Sequence, residues 1–117
     1  MTFEELVEPF PAATQEAARR LLATARELIP DAVEAGEGGD YGVGTAPGYK
    51  GLVFVITPQD RGVRLGIAGG ASLDDPGGLM QGRGRVHRHV KVADAADADA
   101  PPLRDLMRRA AEAARGG

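Results

Sequence analysis

Cysteine is absent from the 117 residues, which excludes disulfides, thiolate metal sites and thiol nucleophiles together. Any metal would have to be held by His, Asp or Glu. Tryptophan is absent too, and three Phe and two Tyr leave little to stack on nucleobases, so no nucleic acid partner is expected. No apolar run approaches the roughly 20 residues of a bilayer crossing, and the opening MTFEELVEP lacks the basic region of a secretion signal. A cytoplasmic location and no membrane partner are expected. Serine occurs once, as Ser72, without a nucleophile elbow around it, and neither an HExxH pattern nor a phosphate-loop Lys-Ser pair is present. No catalytic motif supports an enzyme, and no cofactor is implied.

Large apolar side chains are few. Leu, Ile, Val and Phe make up 25 of 117 residues, while the 20 alanines each bury little area. That places the chain just above the level of roughly 20% below which disorder sets in. The length suits one core, since one core serves roughly 100 to 200 residues, and a single domain over 1–117 is expected. Net charge is −3, but nine acids face three arginines between Glu4 and Asp40, whereas six Arg or Lys face Asp74 and Asp75 between Arg61 and Lys91. Such an acidic front and basic middle either mark a surface for an anion or partner, or pair with each other.

Along the chain, Pro11 followed by Thr14 predicts a helix start capped by the threonine oxygen. Ala18, Leu21, Leu22, Ala25, Leu28 and Ile29 recur at helical spacing, and Pro30 stops the helix. The next 20 residues hold seven glycines, with short strands expected at 32–35 and 41–45. LVFVIT, Leu52 to Thr57, is the clearest strand and is expected to be central. A turn at Pro58 to Gly62 leads into Val63, Leu65 and Ile67 alternating with Arg64, Gly66 and Ala68, which predicts a hairpin. Arg85 to Val92 reads as a further strand, and ADAADADA, 93–100, as a mobile acidic linker. After Pro101 and Pro102, Leu103, Leu106, Met107, Ala110 and Ala114 form a second helical stripe. This order predicts the α+β class, a two-layer sandwich in which an antiparallel β-sheet carries N-terminal and C-terminal helices on one face.

Two stretches carry a family resemblance. IPDAVEAGEGGDYGVGTAPGYKGLVF, Ile29 to Phe54, and LDDPGGLMQGRGRVHRHVKV, Leu73 to Val92, resemble the YdhG-like family (domain of unknown function 1801). Shared with it are a proline after the first helix, a Tyr-Gly pair, an Asp-Pro-x-Gly-Leu loop and an Arg-His-hydrophobic-Lys strand. The usual Tyr-Gly-Met-Pro is replaced here by Tyr41-Gly42-Val43-Gly44, with a later Ala46-Pro47. The resemblance implies helices packed on an antiparallel sheet and a distant likeness to frataxin-like iron chaperones.

Candidate sites follow from charge and period. His87 and His89 lie two apart, which on a strand places them on one face with Arg85 and Lys91. With Asp74, Asp75 or Asp40 they could form a nitrogen and oxygen metal shell, against which the flanking cations would work. As an anion site the same strip has better chemistry, with Arg83, Arg85, Arg88, His89 and Lys91 offering charge-assisted donors. The alternative is that these cations pair with the acidic N-terminal half. The glycines of 36–51 are structural or line a pocket, with Tyr41 and Tyr49 as its walls and Lys50 beside them. The expected function is a non-enzymatic binding domain for a small anionic ligand or protein partner, as a monomer or weak homodimer. The alternative is an iron-binding, frataxin-like metallochaperone using Glu4, Glu5, Glu8, Glu16, Glu27, Asp31 and Glu34.

Overall fold

A computed structural model describes residues 1–116. The chain opens with a short helix, α1 (Phe3–Val7), which the sequence reading does not anticipate. Its signal is a capping box: the Thr2 hydroxyl accepts the Glu5 amide at 3.1 Å, and the Glu5 carboxylate accepts the Thr2 amide at 3.0 Å. Helix α2 (Ala12–Leu28) follows, with Pro11 at its N-cap position. Thr14 is not the cap. It lies within the first turn, buried, where its hydroxyl donates to the Gln59 carbonyl at 2.9 Å and accepts the Gly62 amide at 3.0 Å. That side chain therefore bolts the start of α2 to a turn 45 residues away.

Five strands come next: β1 (Val33–Glu37), β2 (Asp40–Gly44), β3 (Leu52–Pro58), β4 (Val63–Ile67) and β5 (Arg88–Val92). Each pairs antiparallel with its neighbour in sequence, giving the order β1-β2-β3-β4-β5 with β3 in the middle, as LVFVIT predicts. A register shift at Val43/Gly44 marks where the β2–β3 connection folds over itself. There glycine is obligatory, since a Cβ on Gly44 would run into the Gly51 carbonyl and one on Gly51 into that of Ala46. The last strand is shorter than expected: residues 85–86 bend, His87 lies outside the strand, and only Arg88 onward is paired in it.

The predicted linker is also corrected. Within 93–100, Ala95–Asp99 form a third helix, α3, because Asp94 accepts the Asp97 amide at 3.0 Å while Asp97 accepts the Ala93 amide at 3.1 Å. Its Ala98 is fully buried against the core. Helix α4 (Pro101–Gly116) closes the described chain, burying Leu103, Leu106, Met107, Ala110 and Ala111, with Ala114 exposed.

The helices cover one face of the sheet. Tyr41, Val43, Phe54, Ile56, Val63, Leu65, Ile67, Val90 and Val92 point into that layer and meet Leu21, Leu22, Ala25, Leu106 and Met107. At about 25 cal/mol per Å² of apolar area removed from water, burial of this kind is the main stabilising term. The chain is thus the two-layer α+β sandwich that its patterning predicts, with the other sheet face left free of helices.

Candidate functional site

On the open face, side chains fall into cross-strand rows, because paired residues of antiparallel strands point the same way. One row joins Asp40, Thr57, Arg64 and Lys91: the Thr57 hydroxyl donates to Asp40 Oδ1 at 2.6 Å, Thr57 pairs with Arg64, and Arg64 with Lys91. It runs from acid to base across the sheet. The adjacent row is Gly42, Val55, Gly66 and His89, small and apolar except at its β5 end.

Two connections rise over these rows. The 3-10 turn Tyr49–Gly51 lifts the Tyr49 ring above β3. From the other side, the 73–87 connection doubles back along β5, where the Gln81 amide donates to the His89 carbonyl at 2.7 Å and the His89 amide to the Gln81 carbonyl at 3.1 Å. Gly82 to His87 then form the second wall. Between them lies a cleft of about 530 Å³. Its floor is Leu52, Val55, Gly66 and Ala68, and Arg64, Arg83, Arg88 and His89 stand along one side.

His87 links the two walls. Its Nδ1 accepts the Gly69 amide at 3.1 Å, and its Nε2 lies 2.6 Å from the Tyr49 hydroxyl, with the rings edge-to-face at 82°. A backbone amide can only donate, so Nδ1 carries the lone pair and the ring proton sits on Nε2. Nε2–H then donates to the Tyr49 oxygen, which leaves the phenolic proton free to donate into the cleft. His89, by contrast, has its pKa lowered, first by burial and then by repulsion from Arg64 and Lys91. The free protein therefore favours the neutral imidazole.

Among the described residues the cations around the cleft have no acid partners. Every ion pair among the described residues has its arginine on a helix: Arg19 with Glu4 and Glu16, Arg20 with Asp99, Arg26 with Glu34 of β1, Arg104 with Glu27, Arg108 with Asp105 and Glu112, and Arg109 with Asp105. Arg64, Arg83, Arg88 and Lys91 are in none of them. The acidic front and the basic middle thus do not neutralise each other.

The structure divides the sequence-predicted residues. Tyr49, Arg83, Arg88 and His89 line the cleft, and Lys91 stands beside Arg64 at its rim. Arg85 and Lys50 are exposed outside it. Tyr41 is no wall of this cleft: it points into the helix layer, packs edge-on against Phe3 at 5.1 Å, and donates its hydroxyl to Glu34 at 2.7 Å. Burial, then the Glu34 carboxylate, raises the Tyr41 pKa. Val86, which strand alternation over 85–92 would set on the buried side with Val90 and Val92, is exposed in the bend. Asp40, expected only as a metal ligand, instead accepts the Thr57 hydroxyl. Residues missed are Thr57, Arg64 and Gly66. Their signal was the alternation of Val63 to Ala68, which sets Arg64 and Gly66 on the face opposite the core.

For a metal the arrangement offers little. Among the described residues no three His, Asp or Glu side chains stand together as a ligand set. Glu4, Glu16, Glu27 and Glu34 are each held by an arginine. Comparison of the chain with protein-family models, with curated proteins and with solved structures yields no match.

Proposed function

We propose that the protein is a non-enzymatic binding domain that takes a small anionic ligand in the open-face cleft. The observation that carries this is the set of cations around it, Arg64, Arg83, Arg88 and Lys91, which have no carboxylate partner among the described residues while the arginines of the helix layer do. Unpaired guanidinium groups beside an apolar floor fit a carboxylate or phosphate group, because a charge-assisted bond in a partly dry cleft is worth more than one in water. The free phenolic proton of Tyr49 adds a neutral donor. The two stretches that resemble the YdhG-like family, Ile29 to Phe54 and Leu73 to Val92, contain the wall residues Tyr49 and Gly82 to Gly84.

Calorimetric titration with inorganic phosphate tests the site. One-to-one binding is expected, weakened tenfold or more in the double variant Arg64→Ala/Arg88→Ala, since each charged hydrogen bond contributes about 1.5–3 kcal/mol. Binding that survives both changes places the anion elsewhere.

A further inference from the structure

Gly66 lies in the middle of β4, where glycine normally weakens a strand. Three things account for a glycine in such a place: a bulge or bend, a backbone crossing too close for a Cβ, or a ligand that rests on the bare main chain. The first fails here, because the pairing from Phe54↔Ile67 to Pro58↔Val63 is unbroken and Gly66 is not among the residues with positive φ. The second fails as well. A Cβ at Gly66 would meet only Val55, at 3.4 Å from its Cβ and 3.6 Å from its carbonyl oxygen, which is ordinary contact. Gly62 behaves differently: its φ is +85° and its Cβ would strike the Val92 carbonyl.

The bare strip over Gly66 is bounded by Val55 on β3 and His89 on β5, two strand spacings or roughly 9.6 Å apart. Along β4 it is bounded by Arg64 and Ala68, and the Tyr49 and His87 rings stand at its mouth. This is an apolar slot about one ring wide with the Arg64 guanidinium at one end, beside Lys91. We infer that the ligand is an organic anion with a flat apolar body, an aryl or similarly planar phosphate or carboxylate, whose ring lies on Gly66 and whose charged group meets Arg64 and, beside it, Lys91. The assignment rests on the anion site proposed above and adds the body of the ligand to its charge.

The test titrates the full chain with inorganic phosphate, phenyl phosphate and phenol, using wild type, Gly66→Ala and Gly66→Val. Phenyl phosphate is expected to bind about tenfold or more tightly than inorganic phosphate, the gain from covering half a ring or more with apolar surface. Phenol binds at least tenfold more weakly than phenyl phosphate. Gly66→Val fills the slot and removes the phenyl phosphate advantage while inorganic phosphate binds as before, and Gly66→Ala falls between. Melting temperatures of both variants stay at or above wild type, because a side chain suits a strand better than glycine does. Equal wild-type affinity for the two anions overturns the planar-body assignment and leaves the anion site standing. So does tight phenyl phosphate binding by Gly66→Val, or a fall in melting temperature for Gly66→Ala, which makes the glycine a need of the fold. Failure of either anion to bind overturns the anion site beneath it, and phenol binding as tightly as phenyl phosphate overturns both.

Discussion

Thr14 shows how one hydroxyl can serve two distant segments. Buried on α2, it donates to Gln59 and accepts from Gly62, so the β3–β4 turn is fastened to the helix layer by a single side chain. Thr14→Val keeps the shape and removes both bonds, leaving the buried Gly62 amide without an acceptor. A loss of about 1–3 kcal/mol follows, read as a melting temperature lower by roughly 4–12 °C. From the sequence, Thr14 after a proline looks like a helix cap, because a cap and a buried tether use the same residue type. What separates them is a partner 45 residues away, which local pattern cannot show. The same limit applies to Tyr41. A tyrosine among glycines reads as a pocket wall, yet β2 turns it towards Phe3 and Glu34, under the helices.

At the scale of elements, α2, α4 and the β3–β4 hairpin were legible because their large apolar residues recur at one period. Helix α3 was not. Its residues are only Ala and Asp, so there is no apolar stripe to read, and it exists through the Asp94 carboxylate accepting the Asp97 amide, the Asp97 carboxylate accepting the Ala93 amide, and the burial of Ala98. Asp94→Ala is expected to cost about 1 kcal/mol, or roughly 4 °C in melting temperature by scanning calorimetry. The basic strip of β5 was half legible. Alternation placed His89 and Lys91 on one face correctly, but the bend at 85–86 removes Arg85 from it and turns His87 across to Tyr49. Arg64 belongs to the strip through pairing with Lys91, a relation visible only once the strand order is known.

Across the whole molecule, the helix layer is held partly by carboxylates whose pKa values lie below their usual range. Arg19 lowers Glu4, the Thr2 amide and hydroxyl lower Glu5, Arg26 and then Tyr41 lower Glu34, and Arg108 lowers Asp105. A carboxyl depressed in the folded state contributes stability above its unfolded pKa, near 4.3 for Glu, and that contribution disappears as pH falls through the folded value. Melting temperature should therefore hold from pH 7 to about 5 and drop below it. Glu34→Gln should lower it by roughly 3–5 °C at pH 7, the effect of about 1 kcal/mol for a solvent-screened ion pair, with a shallower fall on acidification.

The separation of paired charges on the helices from bare cations on the opposite sheet face gives the protein a front and a back. On the proposed reading, a negatively charged molecule drifting nearby is turned towards the cation-bearing sheet face before contact, so capture is expected to be quick in dilute buffer and to slow as added electrolyte shortens the reach of that field.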